Sequence, residues 1–314
     1  MKTVEISIRD TYGDELVALG KEYPDLVVLD ADVSSSTRSV LFGQQYPERF
    51  FNVGVAETNM VDIAGGLALC GLKPIVNAFA VFLALKTAEQ IRSVICYNKL
   101  PVVLIGSYAG LSDSYDGASH QSIEDIAVMR AIPNMNVIVP ADAIELKQAL
   151  KRAIDLSEPV YLRLCRNPMP VLFEHAKPFV FGKIRVVVEG KDITLAACGM
   201  TVHMAVQAVE QLKSAGISAE LLNVSTIKPL DEETLIHSVK KTQCILTVEE
   251  HSVLGGLGGV VAEVLMKRCP VLGDTIGIHD TFTETGGYEE LLDKYRITVD
   301  EIKEKAIALT RLKV

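Results

Sequence analysis

The chain has 314 residues, of which 49% are hydrophobic and 23% charged, and its net charge is −9. That length accommodates two domains of ordinary size. The acidic balance and the scatter of the 31 Lys and Arg residues argue against a nucleic-acid partner, and no apolar run approaches the roughly 20 residues of a membrane span.

The first residues, Met1 to Ser7, hold an early acid (Glu5) and no apolar core, so a secretory leader is not expected. Short β-branched runs then alternate with longer helical periods, the pattern of an α/β protein with mostly parallel strands. Strands are predicted over 26–32, 74–79, 102–107, 136–140 and 160–164, apolar on both alternations as strands covered on two faces should be. Helices are predicted over 58–70, 85–96, 122–131 and 143–156. The stretch 171–190 is proline-bearing and without helical period, and is expected to connect two domains, 1–170 and 191–314. In the second domain, strands are predicted over 193–198, 219–224, 244–248 and 274–278. Helices are predicted over 202–214, 231–240, 258–267 and 289–295, with Asp231 as a cap. The expected fold class is therefore α/β, two doubly wound, mostly parallel-sheet domains.

Six cysteines (70, 96, 165, 198, 244 and 269) lie far apart, without C-x-x-C or zinc spacing. They read as small core thiols, and the chain as reduced and cytoplasmic. Leu254-Gly-Gly-Leu-Gly-Gly259 does not have dinucleotide-fingerprint spacing and reads as a tight turn allowing close helix packing.

The polar residues worth weighing fall where predicted strands meet helices, the ligand-binding edge of parallel sheets. Glu57 opens a small, apolar helix. It is either a helix-start carboxylate favoured by the dipole or a desolvated group poised to share a proton with a ring nitrogen. Phe79 and Phe82 are either core or a stacking surface. In the loop 113–125, Ser122 and Asp125 read as a capping box, Asp113 and Asp116 as turn formers or ligands, and His120 as functional. One His among scattered carboxylates fits no metal spacing. Arg163 and Arg166 end a strand, where a cation either pairs with a carboxylate or grips an anion. Arg9 and the run 34–37 add further anion contacts.

Taken together, these motifs resemble the carboxyl-terminal half of a transketolase over nearly the whole chain. Gly54-Val55-Ala56-Glu57 is similar to the family's G-I-R-E, and Phe79-Ala80-Val81-Phe82 to its F-x-x-F; Leu85 stands where the family has a third aromatic. Asp116-Gly117-Ala118-Ser119-His120-Gln121 resembles D-G-P-T-H-Q, and Phe282-Thr283-Glu284-Thr285-Gly286 resembles a stretch of the third domain. The resemblance implies a pyrimidine-binding domain (1–170), a linker and a transketolase C-terminal domain. It implies thiamine diphosphate as cofactor, with Glu57 on the pyrimidine nitrogen and Phe79, Phe82, Leu85 and Asp32 around the ring. Glu57 and His120 carry the catalytic roles. Arg9, Ser36 and Arg166 fall on phosphate contacts, and Asp116 and His120 on sugar hydroxyls.

Two departures matter. Tyr108 replaces a family His used on the donor phosphate, which concerns the identity of the sugar. The G-D-G…N motif that holds the diphosphate through Mg²⁺ has no counterpart in these 314 residues. A separate amino-terminal subunit supplying it is therefore expected, in an α2β2 assembly that dimerises through this chain and transfers a two-carbon ketol group between phosphosugars. Alternatives are a 1-deoxyxylulose-5-phosphate synthase-like enzyme, a 2-oxo-acid dehydrogenase β subunit, and a non-catalytic assembly partner.

Overall fold

A computed structural model describes residues 4–173 and 178–313. The domain ends expected at residues 1 and 314, and residues 174–177 of the expected connection, lie outside the described residues.

The strands form where the sequence is densest in apolar and β-branched residues. In the first sheet Asn136–Ile138, Val160–Arg163, Val103–Ser107, Lys73–Phe79, Leu26–Asp30 and Phe50–Asn52 lie side by side, all parallel. Leu26–Asp30 and Val103–Ser107 are buried at every position, which requires cover on both faces. The helix Ala143–Asp155 supplies part of that cover. Asp142 caps its first turn by accepting from the Glu145 amide, and Leu146, Ala149, Leu150 and Ala153 recur on its buried face.

The second sheet joins Leu272–Ile278, Cys244–Ser252, Ile193–Ala197 and Ala219–Asn223 in parallel. Arg185–Val188, from the segment read as connection, adds an antiparallel edge strand. A two-stranded ribbon pairs Glu5–Ser7 with Pro168–Pro170. The helices Ile8–Glu22, Ser34–Thr37, Val40–Gln45 and Val299–Leu312 lie where none was predicted.

Local departures have local causes. The helix expected over 85–96 starts earlier, as Ala80–Lys86. It breaks at Thr87, whose hydroxyl donates back to the Leu83 carbonyl at 2.6 Å, and it resumes as Ala88–Gln90 and then a π-helical turn over Ile91–Cys96. The capping box at Ser122 does not form, because Asp125 is drawn inward to Tyr161 and Arg163, and the helix runs only over Asp125–Ala131. The Gly-rich turn is as expected. It opens the helix Leu257–Arg268, whose Leu257 and Gly258 amides donate to the buried Glu249 carboxylate at 2.6 and 2.8 Å. A Cβ on Gly256 would lie 1.9 Å from that carboxylate. All six cysteines are free thiols. Among the described residues, no helix is long and apolar enough to cross a membrane.

The domains are tied by polar as well as apolar contacts. The short strand Thr226–Lys228, which follows the second domain's Ala219–Asn223, pairs antiparallel with Asn136–Ile138 at the edge of the first sheet. Its Lys228 Nζ donates to the carbonyls of Arg130 and Ile132 at 2.9 and 2.6 Å, closing the end of the Asp125–Ala131 helix. Glu145, buried on the first domain, accepts from Asn223 Nδ2 at 3.0 Å and Ser225 Oγ at 2.6 Å on the second.

Candidate active site

The carboxyl ends of the parallel strands gather most of the polar residues singled out above. Phe79 ends its strand, Tyr108 follows Ser107 in a left-handed conformation (φ 60°), and Arg166 lies just past Val160–Arg163. Glu57 is the first residue of the helix Glu57–Leu69, in the turn after Phe50–Asn52.

Contacts link these side chains into one continuous set. The Phe79 and Phe82 rings are 6.1 Å apart, and His120 meets Phe82 edge-on at 5.0 Å. Tyr108 packs on Phe79 at 4.8 Å, accepts from Arg9 Nη1 at 2.9 Å through its hydroxyl, and lies under the Arg166 guanidinium at 5.0 Å. Two cations therefore converge on the Tyr108 ring. Arg166 also pairs with the fully buried Asp113 at 3.4 Å. Burial, and then the neighbouring Asp116, push the Asp113 carboxyl up to about 7 against the pull of Arg166. Asp116 itself is exposed.

Glu57 is 6% exposed, as expected, but it is not alone. Lys86, at the end of the Ala80–Lys86 helix, donates to Glu57 Oε1 at 2.9 Å and sits 4.1 Å over the Phe82 ring. Among the described residues Oε2 accepts no hydrogen bond. Lys86 was not foreseen. Its partner is 29 residues away, and only the pairing of two strand-to-helix turns at one sheet edge brings them together.

Asp32 and Ser36 sit on a turn organised from below. Buried Asp30 accepts from the Val33 amide (2.7 Å), Ser39 Oγ (2.8 Å) and Thr37 Oγ1 (3.0 Å). Asp32 (φ 65°) accepts from Asn52 Nδ2 at 2.9 Å, and Asn52 Oδ1 accepts the Gly54 amide at 3.0 Å, so this turn is tied to the one that carries Glu57. Ser36 and the exposed Leu85 make no side-chain hydrogen bond or ring contact with the central set among the described residues. Arg163 lies deeper. It is 6% exposed and held by Asp125 Oδ2 at 2.8 Å, so its role is to pair with a buried carboxylate.

Fold and site together define a two-domain α/β protein in which a carboxylate, a cluster of aromatic rings and two arginines gather at the carboxyl edge of a parallel sheet, where such sheets bind ligands. Residues 4–170 match the transketolase pyrimidine binding domain and residues 182–302 the transketolase C-terminal domain. The chain belongs to the transketolase family and corresponds to its carboxyl-terminal part.

Its relatives include a Methanocaldococcus jannaschii protein provisionally named a transketolase C-terminal section. The two are 43% identical over 95% of this chain and 94% of that protein. The 6-deoxy-6-sulfo-D-fructose transketolase subunit SqwH of a Clostridium species is 38% identical over 100% of this chain and 97% of its own length. Among solved structures, a split gene transketolase described as an inactive beta4 tetramer superimposes with a TM-score of 0.91. It is 41% identical, over 99% of this chain and 100% of that one.

Proposed function

We propose that this chain is the carboxyl-terminal subunit of a thiamine-diphosphate-dependent transketolase, transferring a two-carbon ketol group from a ketose phosphate to an aldose. The observation that carries the reading is the buried Glu57, with one oxygen unengaged, beside the half-buried rings of Phe79 and Phe82 at the sheet's carboxyl edge. This is a fitting receptor for a flat, protonatable heterocycle. When bound, thiamine diphosphate supplies the electron sink for cleaving the bond next to the ketose carbonyl.

The protein's own residues do the rest. Glu57 holds a proton against a pyrimidine nitrogen, Phe79 and Phe82 stack on the ring, and Leu85 and Asp32 flank it. His120 and Asp116 order sugar hydroxyls. Arg9, Arg166 and Ser36 receive the phosphate, with Tyr108 between the two arginines. Residues 1–170 serve as the pyrimidine-binding domain, 171–190 as the linker and 191–314 as the C-terminal domain, working in the cytoplasm.

Among the described residues no three His, Cys, Asp or Glu side chains converge as metal ligands. We assign Mg²⁺ and the diphosphate to a separate amino-terminal subunit in an α2β2 assembly that dimerises through this chain. Co-expression with such a subunit tests this. Cleavage of a ketose phosphate, with transfer to an aldose, is expected only with both chains, thiamine diphosphate and Mg²⁺ present. Transfer by this chain alone would overturn the subunit reading, and consumption of pyruvate in place of a ketose would overturn the substrate reading.

Lys86 occupies the space between Glu57 and Phe82, so binding a ring there requires it to move aside. Replacing it with Met removes a half-exposed ion pair of the kind worth about 0.2–1 kcal/mol. Titration of the reconstituted pair with thiamine diphosphate should then show binding about two- to fivefold tighter. Weaker binding by Lys86→Met would mean that the ammonium contacts the cofactor instead of making way for it.

A further inference from the structure

The loop from Tyr108 to His120 carries four residues of the candidate site, Tyr108, Asp113, Asp116 and His120, yet little of its own domain holds its outer part. Within the first domain, the Ala109 amide donates to the Leu164 carbonyl at 3.0 Å and the Gly110 amide to the Ser122 carbonyl at 2.8 Å. Arg9 also holds the Tyr108 hydroxyl, Arg166 pairs with Asp113, and the Ser112 hydroxyl donates to the Ala109 carbonyl. Further ties reach the second domain. The Gly286 amide donates to the Ser114 carbonyl at 3.2 Å, and Gln121 Nε2 bridges the carbonyls of Ser114 and Glu284 at 3.1 and 3.0 Å. Gly117 lies against Thr285, so that a Cβ there would be 2.5 Å from the Thr285 hydroxyl.

The innermost of these ties is a buried carboxylate. Glu250, on the strand Cys244–Ser252, is 3% exposed and accepts the Leu111 amide through Oε1 at 2.8 Å. Its carboxyl carbon packs on Gly110, where an added Cβ would meet it at 2.5 Å; Gly110 takes φ +66° there, which a residue with a side chain adopts only under strain. Its own backbone carbonyl accepts from Arg163 Nη2 at 2.9 Å, which fixes the strand against the first domain. Among the described residues Oε2 accepts no hydrogen bond within ordinary geometry, and the Tyr288 hydroxyl of the second domain lies close enough to lower the carboxyl's pKa. A fully buried carboxylate is costly to maintain, and among the described residues the backbone amide it accepts from is Leu111 of the loop.

We infer that Glu250 is a positioning residue for the reaction. From the C-terminal domain it sets the backbone at Gly110 and Leu111, and through it the placement of Tyr108, Asp113 and His120 at the pyrimidine domain's site. The inference rests on the proposed function for its catalytic consequence, and on geometry alone for the loop. Burial pushes the Glu250 carboxyl up to about 7, with Arg163 opposing. An oxygen acceptor serves the Leu111 amide whether or not the group is ionised, so an isosteric amide should serve as well.

The test has two arms and three variants. In the full chain alone, amide hydrogen exchange of peptides covering 109–122 is compared for wild type, Glu250→Ala and Glu250→Gln. Glu250→Ala should raise exchange in that loop about tenfold while the rest of the second domain keeps its protection, and Glu250→Gln should stay near wild type. With the amino-terminal subunit present, kcat/KM for ketose phosphate should fall about 10- to 100-fold in Glu250→Ala, the scale expected when reacting groups shift by about 1 Å. Glu250→Gln should recover to within about threefold. If Glu250→Ala does not fold, Glu250→Asp, which draws the carboxylate back by one methylene, replaces it in both arms. Unchanged loop exchange in Glu250→Ala, or equal impairment of Glu250→Gln, would overturn the inference. Absence of ketol transfer by the wild-type pair would instead overturn the functional reading and leave the exchange comparison standing.

Discussion

Glu57→Gln is expected to lower ketol transfer by the reconstituted pair by about three orders of magnitude while leaving the fold intact. Proton transfer by a positioned side chain is worth about 10²- to 10⁴-fold, and Gln matches Glu in volume but cannot exchange a proton with a ring nitrogen. The side chain is buried at the start of the Glu57–Leu69 helix, so water is poorly placed to take over. Stability should change little, because among the described residues the carboxylate's partner is the half-exposed Lys86. Pre-steady-state assay of the variant, with thermal unfolding as the control, checks both halves. Activity within tenfold of wild type would remove Glu57 from the mechanism.

Glu57, Phe79 and Phe82 were legible because they sit at strand-to-helix turns, and the ends of apolar runs locate those turns without knowledge of the tertiary structure. The central strands of both sheets were legible for the same reason, since burial on two faces leaves unbroken apolar segments such as Val103–Ser107. The helix Ile8–Glu22 was not predicted, and its Gly13 and Gly20 weaken any helical signal there. Both are there for close approach. A Cβ would lie 2.6 Å from Arg38 Cβ at Gly13, and 2.6 Å from the Phe42 and Tyr46 rings at Gly20. Phe50–Asn52 and Arg185–Val188 are edge strands too short to leave a period. Lys86 and Glu250 were invisible because each acts on a partner remote in sequence, 29 residues away for Lys86 and 139 for Glu250. Only sheet packing sets those distances.

Arg163→Met should be the most destabilising of the substitutions considered, by about 3–5 kcal/mol, the cost of leaving one partner of a buried pair alone. Arg163 Nε donates to Asp125 Oδ2 at 2.8 Å, and Nη2 to the Ser122 and Glu250 carbonyls at 3.2 and 2.9 Å. Burial works against the guanidinium charge, but Asp125 and Glu250 outweigh it and hold the group protonated. Without it, Asp125 stays fully buried with the Tyr161 hydroxyl as its remaining side-chain donor among the described residues, the Ser122 carbonyl keeps the Gly110 amide, and the Glu250 carbonyl loses the guanidinium. Pairing Arg163→Met with Asp125→Leu should recover much of the loss, since an apolar replacement for a whole buried pair is often neutral. Denaturant unfolding of both variants decides. A loss under about 1 kcal/mol for Arg163→Met would mean that water or backbone movement satisfies Asp125.

The strand Thr226–Lys228 has a practical consequence for anyone dissecting this protein. It completes the first sheet with three residues from beyond Ala219–Asn223. Residues 4–170 produced on their own would therefore leave the amides and carbonyls of Asn136–Ile138 bare along an apolar flank, an invitation to edge-to-edge aggregation. A hybrid that exchanges one domain has to carry that three-residue stitch with the sheet it closes.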